Sequence, residues 1–89
     1  THLNGKMLKI WDADVYTKEQ AEAEFPEYST DFKGAEPGQI VAVLPHTFFI
    51  GCGKDLLKVN EVQAEGKKRM TSDAFLRGSR LEKGMELGK

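Results

Sequence analysis

The apolar positions of this chain fall mostly into short alternating runs, and that pattern carries the first predictions. In residues 5–16 (GKMLKIWDADVY) Leu8 and Ile10 share one side while Met7, Lys9 and Trp11 share the other, the two-residue period of a half-buried strand. Past Asp12 the apolar role passes to Ala13 and Val15, so a bulge or a strand end is expected there. Residues 38–44 (GQIVAVL) and 48–52 (FFIGC) predict two more short strands joined by a tight connection, in which Pro45 fits only a turn or a strand edge. Residues 56–63 (LLKVNEVQ) predict a further strand, although Leu57, Val59 and Glu61 alternate imperfectly against Leu56, Lys58 and Val62.

Two helices interrupt the strands. Thr17 and Gln20 have capping-box spacing, and Ala21 and Ala23 favour a helix that Pro26 stops. Residues 27–38 (EYSTDFKGAEPG) are polar and punctuated by Gly and Pro, and read as a surface loop. Near the end, Thr71 or Ser72 caps a short helix through Ala74, Phe75 and Leu76, with Asp73 in its first turn and Gly78 terminating it. Short strands at such turn spacings predict a mostly β chain, a small barrel or sandwich with one or two short helices.

A chain of 89 residues predicts a single domain, 1–89. The lone Cys52 excludes an internal disulfide framework and a cysteine-rich zinc site, a usage that suits a reducing cytoplasm. No apolar run of membrane length and no cationic leader is visible, and a chain opening at THLNGK without Met is expected to be a fragment of something longer. The net charge of −1 hides an asymmetry: residues 1–36 carry −4 and residues 37–89 carry +3. Such a dipolar domain can hold a polyanion on one face.

Catalytic chemistry is nearly absent from the pattern. His2 and His46 read as surface histidines, Cys52 as a small buried hydrophobe, and Asp12 with Asp14 as a solvated edge too sparse to ligate a metal. Residues 51–54 (GCGK) lack the spacer and helix of a phosphate loop and read as a hairpin turn. The chain alone is therefore predicted noncatalytic, with no catalytic or metal residues. Residues 66–69 (GKKR) are the most suggestive feature, because on a turn opened by Gly66 three cations can splay around a phosphate backbone. Lys54, Lys58, Arg77 and Arg80 extend that patch if the fold brings their loops together; the bland alternative is a solvated loop.

The series LNGKMLKIWDADV, PGQIV and GCGKDLLKVNEVQAEGKKRMTSDAFLRG, closing with GMELG, resembles the C-terminal domain of methionyl-tRNA formyltransferases over most of residues 3–88. The resemblance implies a small open OB-like barrel that follows a catalytic N-terminal domain of the same chain. The whole enzyme transfers a formyl group from 10-formyltetrahydrofolate to the methionine of initiator tRNA. For this fragment it implies no cofactor and no membrane, but a weak, largely nonspecific hold on tRNA. Lys67 and Lys68 match the family's basic positions, Lys6 and Lys9 match less strictly, and Arg69 is added by proximity. The segment 17–36 is longer than the family pattern leads one to expect and is acidic, so beside an RNA surface it has to project away from the binding face. The same barrel also resembles accessory domains of sugar formyltransferases and of enzymes that process formyltetrahydrofolate, for which Trp11, Phe48 or Phe49 would serve as an apolar contact with the catalytic partner.

Overall fold

A computed structural model describes residues 2–3, 6–34, 36–78 and 81–87. Its elements in chain order are β1 (His2–Leu3), β2 (Lys6–Tyr16), α1 (Lys18–Glu24), a 3-10 turn (Pro26–Tyr28), α2 (Ser29–Lys33), β3 (Ile40–Val43), β4 (Phe48–Cys52), β5 (Asp55–Ala64), β6 (Met70–Thr71) and α3 (Ser72–Gly78). The strands form one antiparallel sheet in the order β1-β2-β5-β4-β3, with β6 also on β5, and the sheet does not close. This is the mostly β architecture that the pattern predicts, and the open sheet is consistent with the small open barrel that the resemblance implies. Among the described residues no helix is long and apolar enough to cross a membrane.

The long strand β5 organises the sheet. One edge pairs with β2 from Leu56↔Tyr16 to Ala64↔Leu8, while the other edge is shared, with β4 taking Asp55–Val59 and β6 taking Glu61 and Val62. A strand that changes partner halfway has to bend. The bend is written in its buried residues, Leu56, Val59 and Val62, which recur every third position instead of every second. Opposite the bend, β2 shifts register at Ile10, Asp12 and Ala13. The slip that the sequence predicts around Asp12 is thus a double one: Trp11 is the extra residue on β2 and Asn60 the extra residue on β5, and the extra residue on β5 lets Val62 rejoin the core instead of pointing to water. At the bend the Val59 carbonyl accepts hydrogen bonds from two buried hydroxyls, Thr47 Oγ1 at 2.7 Å and Ser72 Oγ at 2.5 Å. Ser72 is thereby used in the core, and Thr71 caps α3 by accepting from the Ala74 N–H.

Both faces of the sheet are covered. On one, Leu8, Ile40, Phe48, Ile50, Val59 and Val62 pack with Phe75 of α3 and Leu81. On the other, Phe49, Leu56, Val41, Ala42 and Leu44 pack with Ala21 and Phe32. Adjacent Phe48 and Phe49 point to opposite faces, as strand geometry demands, so each anchors a different core. Both are fully buried, which leaves neither as a contact for a catalytic partner.

The segment 27–38 is not the surface loop its composition suggests. After the predicted capping box at Thr17 and Gln20 and a chain reversal at Pro26, it forms the 3-10 turn and α2, and it sends Phe32 (0% exposed) into the second core. There Tyr16, Phe25 and Phe32 surround Phe49 edge-on, with ring centroids 4.9–5.6 Å away. Polar residues of α2 cover the outside while its one aromatic residue, Phe32, faces in. Two smaller expectations also differ. Cys52 is exposed, because it is the last residue of β4 before the Gly53–Lys54 hairpin turn. Val15, expected to share the apolar role with Ala13, is instead 67% exposed, and at this end of β2 Tyr16 is the residue packed against the second core. The hairpin itself is as predicted, with Gly53 at φ +62° supplying the left-handed position a two-residue loop needs. The 81–87 segment runs back along β3, bonding Ile40 and Gly38 through Gly84, Met85 and Leu87.

Candidate nucleic-acid interface

The outward row of β2 is Met7, Lys9 and, at the bulge itself, Trp11, all exposed, while Leu8 is buried beneath. Register places Lys9 opposite Gln63 on β5. Beyond β5 the chain reverses at Gly66 (φ +75°), with the Lys67 N–H bonded to the Ala64 carbonyl and the Glu65 N–H to the Met7 carbonyl. The turn is also held from the side. Gln63 Nε2 donates to the Lys67 carbonyl at 2.9 Å, and Gln63 Oε1 accepts from the Trp11 indole N–H at 3.0 Å. Neither end of the Gln63 amide can be exchanged without losing a bond, since an indole N–H only donates and a carbonyl only accepts. The backbone that carries Lys67 and Lys68 is thus fixed to both long strands.

The cations of this region fall into distinct groups. Lys9, Lys67 and Lys68 are exposed, and no ion pair involves them among the described residues. Arg69 follows on the same turn, but its Nε donates to Glu61 Oε1 at 3.2 Å and its guanidinium lies 5.2 Å from the Trp11 ring centroid, a cation–π contact. Lys58 is half-buried and faces Asp14 across the β2–β5 ladder. Just above it, Asn60 Nδ2 donates to both Asp12 (3.2 Å) and Asp14 (3.0 Å), an acidic band that separates Lys58 from the Trp11 end.

The remaining cations lie elsewhere. Lys54 is in the hairpin at the opposite end of β5, roughly 30 Å from Lys67 at strand rise. Arg77 is on α3, which packs Phe75 into the first core, and it pairs with Asp73 at 2.6 Å. His46, exposed as predicted, lies 2.8 Å from the same carboxylate, and that hydrogen bond and then the Arg77 charge hold the Asp73 carboxyl below its usual range. Lys6 begins β2, but its side chain, like Arg80 entirely, lies outside the described residues.

The fold therefore gathers Lys9, Lys67, Lys68 and Arg69 at one end of the sheet, and does not bring Lys54, Lys58 or Arg77 to them. The local pattern missed two members of this region. Trp11 enters the sequence reading only as an apolar contact for a catalytic partner, and Gln63 carries no signal, because its partner stands 52 positions away. No group of His, Cys, Asp and Glu able to hold a metal is present among the described residues.

The same turn and strands are matched in known proteins. The family model described as the formyl transferase C-terminal domain covers residues 1–80. A methionyl-tRNA formyltransferase of Lachnospira eligens is 52% identical over 89 residues, covering 100% of this chain and 26% of that protein. Proteins of the same name from Bacillus licheniformis and Geobacter metallireducens are 44% and 36% identical, each over 99% of this chain and 24% of their own length. The chain spans about a quarter of the length of these curated relatives. An open antiparallel sheet with the GKKR turn at its end, matched in order over nearly its whole length, belongs to the formyl transferase C-terminal domain family.

Proposed function

We propose that this chain is the tRNA-holding module of a methionyl-tRNA formyltransferase, joined to a catalytic N-terminal domain and working in the cytoplasm. The parent reaction transfers a formyl group from 10-formyltetrahydrofolate to the methionine of initiator tRNA, and the chemistry belongs to the part of the enzyme that this chain does not span. The role of this domain is to hold the tRNA backbone while the acceptor end reaches the distant active site. The observation that best supports the reading is the contrast between Lys67 with Lys68, held on a braced turn without an acid partner among the described residues, and Arg69 and Arg77, which have one.

Three unpaired ammonium groups, from Lys9, Lys67 and Lys68, set the scale. Neutralising about three phosphates gives a slope of log affinity against log salt of roughly −2 to −3. Changing Lys67 and Lys68 together to Ala removes about two units of that slope with little dependence on tRNA sequence. Absence of tRNA binding at low salt, or binding indifferent to both lysines, would rule the reading out.

A further inference from the structure

We propose that Trp11 is a stacking platform for an unpaired RNA base, with Lys9, Lys67 and Lys68 taking the phosphates that flank it; the proposal rests on the RNA-holding role above. Trp11 is 51% exposed on a strand whose inward residues already supply the core, so folding does not require an indole there. Nor is the ring loose. Its N–H is bound to Gln63, and the Arg69 guanidinium lies over the ring, itself held by Glu61. An indole with its polar atom satisfied, its orientation set, and half its surface in water presents an apolar π-surface whose ordering is already complete before a ligand arrives.

The surroundings select the ligand. Lys9 stands two residues along the same strand face, about 7 Å away at strand rise, with Met7 the next exposed residue beyond it. Lys67 and Lys68 follow from the turn that Gln63 ties to the same indole. A ring bordered by free ammonium groups is unlike the core of a protein interface, where lysine is depleted. It matches single-stranded nucleic acid, which is held by cations along its backbone and by aromatic faces under its bases. Paired bases hide their faces in the stack, so the nucleotide concerned is unpaired.

Trp11 is the only tryptophan of the chain, so tryptophan emission, excited beyond the absorption of the tyrosines, reads this site alone. The probes are an unstructured RNA oligonucleotide, an RNA duplex of equal charge, and long-chain polyphosphate, which has no bases. The expected result is binding of all three at low salt, with strong quenching by the oligonucleotide alone. By anisotropy of labelled RNA, Trp11→Ala should weaken oligonucleotide binding about 5- to 100-fold with an unchanged salt slope, and should leave polyphosphate binding as it was. Trp11→Phe, which keeps an aromatic face, should recover most of the loss, and thermal melts of both variants guard against an effect of misfolding.

Oligonucleotide affinity that ignores Trp11→Ala, or equal quenching by polyphosphate, overturns the stacking proposal while the lysine-dependent hold survives. Absence of binding by every polyanion overturns both. In the longer protein, a Trp11 emission isolated by difference against Trp11→Phe that is blue-shifted and indifferent to RNA would make the residue an interdomain contact and also overturn the proposal.

Discussion

Replacing Phe32 with Ala tests whether the acidic segment is part of the fold or an appendage to it. The ring is fully buried and meets Phe49 edge-on at 4.9 Å between centroids, within a core otherwise closed by Ala21, Val41, Ala42, Leu44 and Leu56. Withdrawing a phenyl group from such a site loses about 1.5–3 kcal/mol of transfer free energy. The aromatic pair adds about 0.5–1.5 kcal/mol, and the void adds more because strand residues on the far side cannot collapse into it. The total expected is about 3–5 kcal/mol, the range seen for buried Phe→Ala. A domain of this size has only about 5–15 kcal/mol of stability, so the variant should be marginal at 25 °C. Urea unfolding followed by far-UV circular dichroism measures the change directly. A loss below about 1 kcal/mol, or an unchanged midpoint after the segment is cut out, would refute the second core. In molecules that remain folded, the salt slope for tRNA should not move, because Phe32 lies on the opposite end of the sheet from Lys67.

Three further outcomes follow from particular contacts. Gly51→Ala should destabilise by about 1–3 kcal/mol, since a Cβ there would stand 2.0 Å from the Glu36 carbonyl oxygen; a neutral substitution in a thermal melt would show that the 36–39 segment does not sit against β4. Thr47→Ala and Ser72→Ala should each lose about 1 kcal/mol and together more than their sum, because the second removal orphans the Val59 carbonyl; strict additivity in a double-mutant cycle would contradict this shared acceptor. The Tyr16 phenol is raised above its ordinary value of about 10, first by burial and then by its 2.8 Å hydrogen bond to Glu24. Its protonated form is the favoured one in the fold, so this stabilisation is complete below pH 10 and lost as pH rises through the raised value; Tyr16→Phe should flatten that alkaline loss in melts from pH 9 to 12, and an unchanged profile would refute it.

What could be read from the sequence was local, and what escaped it was long-range. The β2 alternation, its slip past Asp12, the Thr17–Gln20 box and the Gly53 turn all depend on residues within a few positions of one another, and all four are present. By polar composition the segment 27–38 reads as a loop, yet Phe25, Tyr28 and Phe32 follow helical spacing and meet one core. Pro26 and Gly34 concealed that period by breaking it into pieces too short for a helix signal. The imperfect alternation of β5 looked like noise but records a bend imposed by β4 and β6, two strands from opposite sides in sequence. The basic turn was visible as GKKR, whereas its brace was not: Trp11 and Gln63 become neighbours only when β2 and β5 pair.

The placement of charge along β5 also resolves the apparent conflict between an acidic segment and a polyanionic ligand. The acidic helices pack over Leu56, near the start of β5, and over Phe49 of the adjacent β4, while Lys67 lies beyond the last residue of β5. Strand rise puts about 25 Å between Leu56 and Ala64, consistent with a longest molecular dimension of 36 Å. At physiological ionic strength the Debye length is about 8 Å, so the turn lies about three screening lengths away and the segment's field is attenuated roughly twentyfold before it reaches it. Part of that field is also compensated at source, Asp31 by Lys83 at 2.6 Å and Glu22 by Lys33 at 3.9 Å. Of the closer acids, Asp12 and Asp14 are held by Asn60 and Glu61 is engaged by Arg69, which leaves the exposed Glu65, beside the turn itself, as the acid whose charge acts there. Under the proposed RNA-holding role, repulsion from the acidic end acts on where a bound strand can extend: one held at Lys67 and Lys68 would be steered away from β5's start and off the edge of the sheet.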